Sequence, residues 1–413
     1  MRNLLAAGVS AFAVGLAMPA IAGNVSSIEQ IGANNSASVD QTGGDNGLSD
    51  IDQSNSSGAG DTATVTQSDA AGDAGGAVND AFVDQIGGTG SQSASITQSN
   101  AADGAVNTAR IVQDNTQGDN AGTIAQTGEG HTASIQQGPA DAQNCTLFGC
   151  SPTAPLDTFD NVANVTQDGT GNTASATQIM GSNGGNNNAI DIVQDGDGND
   201  STVVQGTGDV AAVSLFGFVF VPNPASNDSF NTAIVDQMGA SNEANILQGG
   251  EAGIALSTQD GTSNVATMVQ SGLANVASAD QTGTGNSSTI SQTDALVGDL
   301  PIVPALNVAS VIQSGEANIS AVDQGAAGGH TATVTQTGDA NDSDVDQSGL
   351  LNTATVLQST EGNVSIIDQE GGVILPLGNS ASVRQGVDGA INTQNNFSSI
   401  SQSGALNVAT VTQ

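Results

Sequence analysis

The chain has 413 residues and a formal charge of -38, from 41 Asp and Glu against three Lys and Arg, with no Trp or Tyr, nine Phe and 54 Gly. A conventional core of large side chains is excluded by that composition, and nucleic acid is excluded as a partner because almost nothing would neutralise its phosphates. Such acidity would ordinarily mean disorder, but here the apolar residues recur in a fixed register.

At the start, Met1 and Arg2, an apolar run from Leu4 to Leu16 and the small-residue site Ala20-Ile21-Ala22 predict a secretory signal peptide over residues 1–22. No later run of about 18 apolar residues follows, so no membrane-spanning helix is expected and the mature chain, 23–413, is expected to be exported.

From Gln30 onward the chain repeats. Aligned on Gln, it divides into 28 units ending at Gln413, and in 22 of them Asn stands six residues earlier. The residue two before Gln is Val or Ile in 24 units, and the residue four before is small in all but one. Gly commonly follows two residues after Gln, as at Gly169, Gly239, Gly272, Gly283 and Gly338. Every recurrent side chain occupies an alternate position, which is the period of a strand and not of a helix. Asn, the small residue, Val or Ile, and Gln therefore share one face, while Gly-x-x supplies a tight reversal that tolerates positive φ.

A longer period appears where Ala332, Ser343, Ala354 and Ser365 alternate, and where Asp323, Asp346 and Asp368 precede Gln in alternate units, with Thr335 and Leu357 between. The structural repeat is thus read as 22 residues, two strands facing each other across a narrow core. The predicted fold is all-β, a two-sheet cross-β solenoid of stacked strand-turn-strand coils. At the strand spacing, about 14 coils give a rod on the order of 65 Å long. Copies of a side chain then lie above one another, so buried amides can bond to their own copies and set the register. The columns expected to carry self-assembly contain Gln30, Gln41, Gln167, Gln178, Gln237, Gln248, Gln270, Gln281, Gln313, Gln324, Gln336, Gln347, Gln358, Gln369, Gln402 and Gln413. Beside them stand Val311, Val322, Val334, Val345 and Val356, and Asn172, Asn275, Asn318, Asn352 and Asn407. The Asn column either lines the core or sits at its rim and serves the turn.

Inserts interrupt the spacing near 138–160, 206–230, 293–306 and 370–377. The first holds Cys145 and Cys150, a candidate local disulfide in an oxidising compartment. The second holds Leu215-Phe216-Gly217-Phe218-Val219-Phe220-Val221-Pro222, read as a loop packed on the side of the solenoid or as a patch for a partner. His131 and His330 stand six residues before Gln137 and Gln336, so each replaces the usual Asn and neither has a nucleophile beside it. Asp195 to Asp200 lacks the Gly and Glu of a helix-loop-helix calcium site. No catalytic residue, cofactor or metal site is expected.

The pattern Gln-x-Gly-x-x-Asn-x-Ala-x-x-x-Gln resembles the curlin repeat of bacterial curli subunits. Gln167, Gly169, Asn172, Ala174 and Gln178 fit it, as do Gln270, Gly272, Asn275, Ala277 and Gln281, and Gln402, Gly404, Asn407, Ala409 and Gln413. The resemblance implies a non-enzymatic subunit that crosses the outer membrane unfolded, uses curli-type secretion and nucleation partners, and polymerises at the cell surface into amyloid fibres of the biofilm matrix. The alternative is a monomeric β-solenoid adhesin or ligand-binding protein. An ice-binding face would need regular Thr-x-Thr rows, and only scattered cases such as Thr62-Ala63-Thr64 are visible along the chain.

Overall fold

The computed structural model describes residues 24–42, 47–55, 60–69, 79–87, 90–100, 105–115, 119–138, 161–178, 187–206, 214–215, 218–219, 230–293, 306–325, 328–371, 378–386 and 395–413. The leader 1–22, most of the inserts, and Cys145 and Cys150 lie outside the described residues.

The repeat folds as a two-sheet β-solenoid. Twenty-eight strands form two sheets of 14, and successive units go alternately to one sheet and the other. Sheet I starts with Val25–Ile31 and sheet II with Ser36–Thr42. All pairing within both sheets is parallel and in register, so Gln30 stands opposite Gln53, Gln167 opposite Gln194 and Gln281 opposite Gln313. The two-unit coil read from the alternation of Ala332 and Ser343 is the structural repeat. A separate antiparallel pair, Ser214–Leu215 with Phe218–Val219, lies within the second insert.

Alternation sets what is buried. In Ile254–Thr262, Ala255, Ser257 and Gln259 point inward, while Ile254 and Thr258 face out. The core holds Val165, Val235, Ile246 and their equivalents in the inner coils, almost wholly buried, each flanked by one small residue and one Gln, with Ile190 replacing the small residue beside Ile192. Because the inward Cβ positions carry small or β-branched groups, the sheets close without aromatic residues.

The two edges of the solenoid differ. From Gln126 to Gln369, each passage from sheet II to sheet I takes 11 residues from Gln to Gln, as in Gln126 to Gln137, Gln194 to Gln205 and Gln313 to Gln324. The four large inserts all leave from the opposite edge, after Gln137, Gln205, Gln292 and Gln369 of sheet I. On the closed edge the turns themselves stack. Gly198 N–H donates to Thr170 O at 2.8 Å, Gly285 to Thr262 O at 2.9 Å and Ala340 to Glu316 O at 2.8 Å, so the backbone ladder continues around the bend.

That stacking favours Gly two residues after Gln, although Thr360 holds the same place with φ of 96°. Gly169 has φ of 105° and Gly283 of 114°, and a Cβ on either would lie 2.2 or 2.1 Å from the carbonyl oxygen of Gly196 or Gly315 in the next coil. A second left-handed residue closes each turn just before Asn, at Ser241 (56°), Ala317 (56°) and Leu351 (58°). Gly takes this position in other turns, at Gly171 (65°), Gly198 (64°) and Gly285 (66°), and where it does not the surrounding ladder holds an L residue there against its usual preference. Gly283→Ala is expected to lower stability by about 1–3 kcal/mol, measured as a shift in the denaturant midpoint, because the strained φ and the backbone clash act together.

Candidate self-assembly surfaces

The strongest recurrent contact is between amides. In sheet I, Gln30 Nε2 donates to Gln53 Oε1 at 2.6 Å, and the chain of donations proceeds without a gap through Gln178, Gln205 and Gln248 to Gln369 and Gln402. Sheet II has the same ladder from Gln41 to Gln413, with links of 2.6 to 3.0 Å. The second hydrogen of each Nε2 crosses the core to a backbone carbonyl of the facing sheet, as Gln270 to Ile254 O and Gln259 to Glu243 O, both at 2.9 Å. This second bond fixes which end of the amide points where. Every ladder bond therefore runs the same way, donor nearer the N-terminus and acceptor nearer the C-terminus.

The Asn columns are buried and also serve the turn. Asn172 Nδ2 donates to Asp168 O and Gly196 O, both at 2.9 Å, while its Oδ1 accepts the N–H of Asn199 at 2.8 Å. Asn318 repeats this with Ser314 O, Gly338 O and Asn341 N–H, and Asn352 accepts from Asn379 N–H. Asn275 bonds Ser271 O, and Asn407, in the last coil, bonds Ser403 O and is only half-buried. Val311, Val334 and Val356 stack in sheet II and Val322 and Val345 in sheet I, all within the core.

His131 acts as a further Asn. Its Nδ1 accepts Asn172 N–H at 3.3 Å, and its Nε2 donates to Thr127 O at 3.0 Å, the same two bonds an Asn makes at that place. Burial holds its pKa below the usual imidazole value, against the opposing pull of the Thr127 carbonyl and Asp168. His330 Nδ1 likewise accepts Asn352 N–H at 3.3 Å. Both rings are structural spacers in an Asn column. Among the described residues no group of three His, Cys, Asp or Glu is placed to hold a metal, and no helix is long and apolar enough to cross a membrane.

The outward faces differ in charge. In the outward rows that precede each Gln, sheet I carries twelve carboxylates: Glu29, Asp52 and Asp84 in one column, Asp323, Asp346 and Asp368 in another, with Asp50, Asp80, Asp200, Glu243, Asp342 and Asp344; Asp114 and Glu370 follow Gln on the same sheet. Sheet II carries four in the preceding rows, Asp40, Asp191, Asp236 and Asp280, and three in the row after Gln, Asp168, Asp195 and Asp260. Sheet II also collects Thr rows scattered along the sequence, with Thr62, Thr64 and Thr66 on one strand and Thr331, Thr333 and Thr335 on another.

The C-terminal third of sheet I works against itself. Asp346 stands in register between Asp323 and Asp368. Burial raises its pKa, and Asp323, Asp368 and Asp344 add to the rise; burial raises Asp344 as well, helped by Asp342 and Asp323. Behind them Ser288, Ser320, Ser343, Ser365 and Ser398 form a buried column whose hydroxyls have no partner among the described residues. Coils nearer the N-terminus place Ala81, Ala109 and Ala133 at that position.

Two expected outcomes test this arrangement. Gln270→Leu leaves Gln248 Nε2, Gln292 Oε1 and Ile254 O each short of a bond, at about 1–3 kcal/mol per unsatisfied group, and should unfold at a markedly lower urea concentration than Thr267→Leu on the outer face of the same strand. The raised Asp344 and Asp346 values mean that the folded chain holds more protons than the unfolded one between the ordinary Asp pKa and the raised value. Stability from these groups therefore falls as pH rises through that window. Asp346→Asn should gain about 0.5–1 kcal/mol at pH 7, and the gain should vanish below pH of about 3, both read from denaturation curves.

A family model for the curlin-associated repeat matches residues 261–293 and 307–338. The matched stretches hold the strands Val265–Ser271, Val276–Thr284, Ser287–Thr293, Val308–Glu316, Ile319–Gly325 and Thr331–Thr337, on either side of the third insert. No curated protein matches the chain.

Proposed function

We propose, starting from a chain that carries curlin-associated repeats, that it is a secreted structural subunit which self-assembles end to end into extracellular curli-like amyloid fibres, serving adhesion and matrix cohesion without catalysis. The observation that carries this reading is the polarity of the two Gln ladders. The N-terminal coil presents the Oε1 of Gln30 and Gln41, and the C-terminal coil presents Nε2 of Gln402 and Gln413, each with one hydrogen beyond its bond to Ser380 O or Phe397 O. Donor end meets acceptor end when copies stack head to tail, whereas two like ends place acceptor against acceptor or donor against donor.

The end strands favour the same junction. Val25, Ile28 and Ile31 are 58, 47 and 55 % exposed in the first coil, and Phe397 and Val408 are 60 and 79 % exposed in the last. Edge strands with open backbone groups and apolar side chains are templates for another chain. Export through a leader at 1–22, and the dedicated secretion and nucleation partners of curli-type systems, belong to the same proposal.

The reading is tested by diluting the mature chain from denaturant and following dye binding, fibre imaging and seeding. Fibres with a reflection at about 4.8 Å, a lag phase removed by preformed seeds, and growth from one end of a labelled seed are expected. A soluble monomer that seeds never recruit would favour the adhesin reading.

A further inference from the structure

The two broad faces of the solenoid are chemically unlike, and the difference points to a lateral partner. We infer that sheet II pairs face to face with sheet II of a second copy of this chain, so that the working unit is a double solenoid with both sheet I faces turned to solvent. This pairing needs a folded solenoid but not the end-to-end growth proposed above.

Charge selects the face. Fourteen carboxylates on sheet I against seven on sheet II, with one arginine on each, Arg110 and Arg384, make sheet I the surface that repels its own copy more strongly. On sheet II, Asp168 and Asp195 stand in adjacent coils in the row after Gln, whereas Asp236 and Asp280, in the row before it, are two coils apart.

Apolar surface selects the place. Along one column of sheet II, Val162, Ile254, Val276 and Val308 lie in the row that opens each strand, and Ile234 and Ile312 extend the patch across it. Val162, Ile234, Ile254 and Ile312 are 39, 38, 39 and 41 % exposed, although the side chains beside them in the column already shield their flanks. Ser278, Ser310 and Thr333 place short polar side chains in the row beside the patch.

Area is sufficient. Seven-residue strands at about 3.3 Å per residue and 14 coils at about 4.8 Å give a face of about 1,500 Å², against about 800 Å² per partner in a stable interface. All four inserts leave from one edge of the stack, after Gln137, Gln205, Gln292 and Gln369 of sheet I, and not from within a strand of sheet II.

The test places charge on one face at a time. The triple variant Ile234→Asp, Ile254→Asp, Ile312→Asp alters sheet II, and Thr267→Asp, Thr289→Asp, Ser291→Asp alters sheet I to the same extent. Assemblies of the unaltered chain should have, by small-angle scattering and electron microscopy, the cross-section of two solenoids. The sheet II variant should fall to one, with elongation within about twofold of the parent and pairing restored by 1 M salt, where the screening length is about 3 Å. The sheet I variant should stay double. If the triple variant does not fold, Ser278→Asp with Ser310→Asp replaces it at hydroxyl positions of the same face. A single-solenoid cross-section in the unaltered chain, a sheet II variant that stays double, or a sheet I variant that splits would each overturn the inference. A chain that never elongates is judged by its mass in solution, a dimer supporting the pairing and a monomer refuting it.

Discussion

The fold depends on one interaction, the hydrogen bond from each core Gln amide to its copy in the next coil. A narrow core of Ala, Ser, Val and Ile has no large side chains to lock its layers, and a strand slipped by one residue would turn its apolar set to solvent. An amide column makes the correct register the one in which the buried Gln amides are satisfied. In this chain the ladder spans segments as long as 43 residues between Gln194 and Gln237 without stretching beyond 2.8 Å. Insert length is thus absorbed outside the stack.

The same ladder gives the rod a direction. Since each Nε2 is committed to a carbonyl across the core, the amides cannot flip without breaking two bonds, and donor and acceptor ends stay distinct along all 14 layers. Departures from the ideal column are tolerated when they reproduce its bonds. His131 does so with its two ring nitrogens, whereas Gly253 has no side chain to bond and keeps the backbone link, its N–H donating to Asn231 Oδ1 at 2.9 Å.

Stability is distributed unevenly along the stack. The coils from Ala233 to Ala277 carry Ala at the small-residue position, while the coils from Ser320 to Ser365 combine a column of unsatisfied hydroxyls with a ladder of stacked carboxylates on the outer face. Neither feature breaks the register, because the Gln column through Gln324, Gln347 and Gln369 continues beneath them. These coils are the ones whose order should respond most to pH.

Strand period, the inward set and the pairing of units into coils were legible in residues such as Asn172, Ala174 and Gln178, since pleat alternation is a local property that any seven-residue window displays. The alternation of Ala332 with Ser343 even separated the two sheets. Other features required the neighbouring coil. The left-handed backbone at Ser241, Ala317 and Leu351 follows from turns stacked upon turns, and at these three positions no Gly announces it, although Gly171, Gly198 and Gly285 do at the equivalent places. Whether Asn sat inside or at the rim was likewise settled only when Asn199 N–H in the next coil was brought to Asn172 Oδ1. The choice of one edge for all four inserts, and the gathering of Thr rows on one face and carboxylates on the other, are decided by contacts between residues 22 or more positions apart, which a linear reading does not bring together.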